Sequence, residues 1–217
     1  MNDSKINQAR RLAGNTVSRL LRAVGLRSYV APAVLVSCAW LLAGTGGNSG
    51  SGADHVRWDL INVDFATSPP TLSAGGAASA TADADRMITL TGSGTFVAPA
   101  SGGISGAVTG GGTWETFLDG VSTGTGTYIV TKLASWQFSN FQTPNPNDLI
   151  DDGKATSGNA ALRIQYSDGS EGILGIGCSA GTPGIQEGVI ATKGFVTYWS
   201  RVAPSPTVPG FTLFHVR

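Results

Sequence analysis

At 217 residues, with 14 basic and 14 acidic side chains, the chain is formally neutral, and charged residues make up 13% of it, against about 25% in ordinary soluble domains. Lys5, Arg10, Arg11, Arg19, Arg22 and Arg27 face Asp3 alone in the first 27 residues, which leaves the rest with eight basic and thirteen acidic side chains. A mildly acidic body without clustered Lys and Arg lacks the footprint of a nucleic-acid binder, and its aliphatic and aromatic content excludes a disordered chain.

Residues 1–47 read as a leader. A basic stretch precedes the apolar run YVAPAVLVSCAWLLAG (Tyr29–Gly44) and then small residues, the order found in a secretory signal peptide. A short, uncleaved membrane anchor is the weaker alternative, because a spanning helix needs ~20 apolar residues. Leu35-Val36-Ser37-Cys38 resembles the bacterial lipobox, which makes Cys38 a lipidation candidate. The expected location is secreted, periplasmic or cell-envelope, with membrane contact only through the leader helix or a lipid. Residues 48–54 form a Gly/Ser linker, and 55–217 a single domain.

In that domain almost nothing has helical period. His55–Phe65 alternates Val56, Trp58 and Leu60 and predicts a first strand. Pro69–Ala84 reads as a loop, and Arg86–Val97, Gly112–Phe117 and Thr125–Phe138 as strands. Asn140–Asn159 is a long connection with room for a short helix. Ala161–Cys178 (ALRIQYSDGSEGILGIGC) predicts a hairpin about Asp168-Gly169; a two-residue type I′ turn would set Tyr166 opposite Glu171 and Leu162 opposite Gly175. Ile185–Trp199 and Phe211–Val216 complete the strands, with a proline-rich loop between them. The fold expected is all-β: one antiparallel β-sandwich or β-barrel of about 7–8 strands behind the leader helix.

One motif recurs. TGSGTF (Thr91–Phe96), TGGGTW (Thr109–Trp114) and TGTGTY (Thr123–Tyr128) repeat at spacings of 18 and 14 residues. In a strand each copy puts its hydroxyls on one face and its glycines and terminal aromatic on the other. Glycine weakens a strand, so either an aromatic from a neighbouring strand covers the bare backbone, or the glycines let the sheet bend sharply, or a flat ligand lies there. Phe96, Trp114 and Tyr128 are therefore binding candidates, for example for a sugar ring. Similar glycine-rich segments occur in dirigent and allene oxide cyclase barrels. That resemblance is confined to these six-residue pieces, and no family membership follows from it.

Few segments carry a chemical motif. Gly177-Cys178-Ser179-Ala180-Gly181 matches G-x-S-x-G, and Glu187 and His215 are the partners a Ser179 nucleophile would have. A nucleophile elbow needs a helix after the turn, whereas Thr182-Pro183-Gly184 and a strand-like segment follow here. Asp148, Asp151 and Asp152 could offer a cation their carboxylates, but Ile150 occupies the third ligand position of the EF-hand template; a solvated turn is the expectation. No cofactor motif is present, and Cys178 reads as a small buried hydrophobe. The expected function is an exported, non-catalytic binding or structural module whose partner is a carbohydrate or a small apolar molecule. A barrel enclosing an apolar ligand is second, and a hydrolase using Ser179 third.

Overall fold

The computed structural model describes residues 53–83, 85–99, 103–142, 146–150 and 152–217. The leader, Cys38 and Asp151 lie outside the described residues. Those described form no helix and fourteen strands: β1 (Asp54–Asp64), β2 (Thr71–Ala74), β3 (Ala77–Thr81), β4 (Arg86–Thr91), β5 (Ser93–Ala98), β6 (Val108–Leu118), β7 (Val121–Phe141), β8 (Asn147–Asp148), β9 (Lys154–Tyr166), β10 (Glu171–Cys178), β11 (Gly188–Lys193), β12 (Val196–Tyr198), β13 (Ser200–Arg201) and β14 (Thr212–Val216).

The architecture is a barrel. Antiparallel pairing runs β1–β5–β6–β7–β9–β14 and back to β1, a closed ring of six strands. The 21-residue β7 pairs first with β6 and then with β9, and its ladder to β9 shifts register three times. Each shift bends the strand and adds twist, which a ring this small needs to close. Beyond the ring, β10, β11 and β12 continue outward from β9, while β4, β3 and β13 continue from β6. Only Trp199 separates β12, paired to β11, from β13, paired to β3, so the two extensions meet through one continuous segment.

The number of strands exceeds the seven or eight expected because long segments are kinked and because loops contain short strands. Arg86–Val97 is two strands, broken at Gly92, where the chain leaves β3 and takes β1 as its partner. Gly92 has φ +149°, which a side chain would resist, and its carbonyl accepts a hydrogen bond from Leu60 N at 2.9 Å. The predicted loop Pro69–Ala84 contains β2 and β3, and Asn140–Asn159 holds β8 and strand ends where a helix had room. Small residues hid those strands: Ala77-Ala78-Ser79-Ala80 alternates buried and half-buried positions with almost no side-chain volume to signal it.

The hairpin at Asp168-Gly169 forms one residue away from its expected register. Leu174 faces Leu162 and Glu171 faces Gln165, not Gly175 and Tyr166. Among the turn residues only Gly169 takes a positive φ, +86°, and Tyr166 N bonds Ser170 O across a three-residue loop. This is the longer turn closed by a left-handed glycine. Asp168 Oδ1 stabilises it by accepting from Ser170 N at 3.0 Å and Ser170 Oγ at 2.6 Å. The slip places Leu174, Ile176 and Cys178 on the buried face with Leu162, Ile164 and Tyr166. Lys193 Nζ binds Asp168, holding its carboxyl down at about 2, and lies 4.0 Å from the Trp114 ring centroid.

Aromatic side chains fill the interior, and glycines make room for them. Trp136 packs edge-on against Phe96 and Phe214, with centroids 5.4 and 4.8 Å apart, and Trp114 meets Tyr166 at 5.8 Å. Trp58 sits opposite Gly94 across the β1–β5 ladder, and Trp114 opposite Gly126 across β6–β7. A Cβ on Gly94 would lie 2.9 Å from Trp58 Nε1, and one on Gly126 2.9 Å from Trp114 Nε1. Gly158 under Trp136 (2.7 Å) and Gly172 under Tyr166 (2.9 Å) repeat the arrangement. Gly94→Ala is therefore expected to lower unfolding free energy by about 1–3 kcal/mol through overpacking. Gly106, whose Cβ would meet nothing within 4 Å, should accept alanine within about 0.5 kcal/mol. Chemical denaturation of both variants checks this, and equal effects would contradict it.

Candidate functional site

The repeated motif builds the wall and leaves no ring at the surface. Phe96 is 1%, Tyr128 2% and Trp114 6% exposed. Tyr128 faces Gly112 across the β6–β7 ladder and donates its hydroxyl to Thr91 O at 2.8 Å, while Trp114 Nε1 donates to Thr127 O at 3.1 Å. Burial pushes the Tyr128 hydroxyl up from its ordinary pKa. The motif threonines point outward and pair across strands: Thr91 with Thr113 and Thr95 with Thr109, each at 2.7 Å between hydroxyls. Aromatics thus cover the bare backbone from inside the protein, and these three residues present no platform for a sugar.

Ser179 and Glu187 come together without His215. Glu187 Oε2 accepts from Ser179 N (2.7 Å) and Ser179 Oγ (3.1 Å), and Oε1 from Thr212 N (2.7 Å) and Thr212 Oγ1 (2.8 Å). Four donors saturate this carboxylate, which ties the loop after β10 to the start of β14. Ser157 Oγ donates to Ser179 O at 3.0 Å, fixing the same loop from β9. His215 is fully buried, and its Nε2 lies 2.5 Å from Asp148 Oδ2. The serine hydroxyl therefore has a carboxylate partner and the imidazole has a different one.

The acidic segment is used in ion pairs. Asp59, fully buried, takes Arg57 in a fork, with Nε at 2.8 Å and Nη2 at 2.9 Å. That hydrogen bond, ahead of its desolvation, raises the Arg57 pKa. Asp152 meets Arg57 Nη1 at 3.4 Å and also pairs with Arg217. Asp148 belongs to His215, so neither described aspartate of the segment stands free for a cation. Among the described residues no group of three or more His, Cys, Asp or Glu side chains is placed to hold a metal.

A cleft of about 420 Å³ adjoins this scaffold. Ile61, Val63, Leu72, Phe211 and Leu213 supply apolar lining, and Gln142, Cys178 and Ser179 bring polar atoms to it. Ile61 and Val63 lie on the β1 face opposite Leu60, so alternation turns them away from the ring interior. The cleft was not legible in the sequence, because its residues come from widely separated stretches and its apolar ones read as ordinary strand hydrophobes. Cys178 is 1% exposed, and burial, with Glu187 nearby, pushes its thiol well above the ordinary range. Gln142 Nε2 approaches its sulfur at 3.5 Å.

Native protein treated with iodoacetamide at pH 8 is expected to leave Cys178 unmodified, and denatured protein to be alkylated there, since the thiolate is the reactive form. Peptide mapping by mass spectrometry reads this, and rapid native labelling of Cys178 would contradict the packing described. Comparison with protein-family models, curated proteins and solved structures finds no match to this chain.

Proposed function

We propose that the domain is an exported, non-catalytic binding module whose ligand is a small, largely apolar molecule seated in the cleft beside β1 and β14. The observation that carries this reading is the cleft itself. Its volume of about 420 Å³ falls in the range that small-molecule sites occupy, and apolar side chains line it around a few convergent polar atoms. The interior of the ring offers no comparable seat, since Trp58, Phe96, Leu133 and Phe214 fill it. Saturation of Glu187 by four donors favours binding over hydrolysis, because a carboxylate so engaged anchors a loop. Export rests on the leader pattern and the low charge of the body, both read from sequence.

The test is titration with N-phenyl-1-naphthylamine, an uncharged apolar fluorophore. Saturable one-to-one enhancement is expected for the wild type, and its loss in Val63→Trp, which fills the cleft from the β1 wall. The variant's melting temperature should stay close to the wild-type value, because Val63 is only half-buried. No saturable enhancement, or equal enhancement in Val63→Trp, would overturn the reading.

A further inference from the structure

A second groove, of about 390 Å³, opens at the junction of the two strand extensions and includes Trp199, Ser200, Arg201, Gln186 and Pro204 in its lining. Local pairing dictates what stands there. Tyr198 pairs with Ala191 and is 4% exposed, and Ser200 pairs with Thr81. Trp199, between them, is held by a strand on either side while alternation turns its indole outward, leaving it 68% exposed. Arg201 lies two residues on and lines the same groove. An exposed aromatic ring and a guanidinium thus border one opening.

The guanidinium is poorly provided for. Arg201 Nε reaches Gly188 O at 3.4 Å and Nη1 reaches Gln186 Oε1 at 3.3 Å, both long bonds to neutral acceptors. Arg57, Arg86, Arg217 and Lys193 each pair with a carboxylate. Among the described residues Arg201 is the half-buried cation with no carboxylate oxygen within 4.0 Å. Glu187 also borders the groove, but Ser179 and Thr212 occupy both its oxygens. Burial holds the Arg201 pKa below its ordinary value, with Glu187 opposing the shift. A cation taken partly out of water favours an anion that completes its fork.

We infer that this groove binds a hexuronic-acid unit of an acidic polysaccharide, with the sugar ring stacked on the Trp199 indole and its carboxylate held by the Arg201 fork. An aromatic face takes the apolar side of a pyranose ring, and the planar guanidinium matches a carboxylate bidentately where lysine would offer only a point charge. Gln186 and Ser200 add polar groups to the same lining. Carbohydrate, one of the two ligand classes expected from the sequence, is thereby assigned to Trp199 in place of the buried motif aromatics. The groove shares Glu187 and Pro204 with the apolar cleft, but Val63 lines the cleft alone, so Val63→Trp serves as its control.

The experiment is isothermal titration of the protein with trigalacturonate and with its methyl ester, backed by tryptophan fluorescence. Binding of trigalacturonate is expected in the wild type and in Val63→Trp, at least tenfold weaker for the neutral ester and weakened by added salt. Trp199→Ala should abolish it, and Arg201→Lys should weaken it at least tenfold, with melting temperatures unchanged because the Trp199 ring is exposed and the Arg201 stem is retained. Failure of trigalacturonate to bind would overturn the inference. So would equal affinity for the ester, which would mean that the carboxylate is not read, or wild-type binding by Trp199→Ala. Loss of fluorophore binding in the cleft together with intact trigalacturonate binding would count against the first site alone.

Discussion

A closed ring of six strands is narrower than the eight-stranded barrels whose interiors side chains just fill, and this constraint governs the molecule. Trp58, Phe96, Trp136 and Phe214 all point inward, and no ring of this size has room for such rings on every strand. The facing positions must be empty. Gly94, Gly126 and Gly158, on three strands of the ring, each lie beneath an aromatic from a neighbouring strand, and Gly172 on β10 repeats the arrangement outside it. The destabilising freedom of strand glycine is offset where an aromatic shields the backbone. Gly92 adds bending, which lets one stretch of chain serve two partners.

Outside the ring, three buried or half-buried carboxylates have partners of their own. Asp59 has the Arg57 fork, Asp148 has His215, and Glu187 has four donors from Ser179 and Thr212. Arg57 also reaches Asp152, so these pairings tie β1 to the Asp152 turn, β8 to β14, and the post-β10 loop to β14. Carboxylates this well satisfied act as clasps. Among the described residues Arg201, close to the exposed Trp199 in one groove, is instead a half-buried cation that no carboxylate meets.

Much of the fold was legible in residue patterns. Val56, Trp58 and Leu60 marked β1, and the Thr-Gly-x-Gly-Thr-aromatic copies announced both their hydroxyl face and their covered glycines. Barrel and sandwich were not separable, because strand alternation is the same in both and closure depends on β7 pairing with both β6 and β9. The hairpin slipped by one residue because a left-handed Gly169 suffices for a three-residue loop, and Asp-Gly fits either turn. Ala77–Thr81 escaped notice for lack of side-chain volume. At the site level the three motif aromatics share the inward face with their glycines, so the pattern that drew attention to them also buried them. Trp199 carried the opposite signal, adjacent to the inward Tyr198, but its exposure required knowing that Tyr198 was the inward one.

Aromatic rings packed against bare glycine backbone fill the barrel, and the α-protons of glycine report that directly. In a proton–carbon NMR spectrum of the domain, the Hα resonances of Gly94, Gly126, Gly158 and Gly172 are expected well upfield of ordinary strand glycines, with nuclear Overhauser contacts to Trp58, Trp114, Trp136 and Tyr166 respectively. Exposed Gly106 should resonate at an unshifted position in the same spectrum. Unshifted α-protons at all four covered glycines, with no contacts to the rings, would contradict the packing from which the barrel and both of its outer sites are derived.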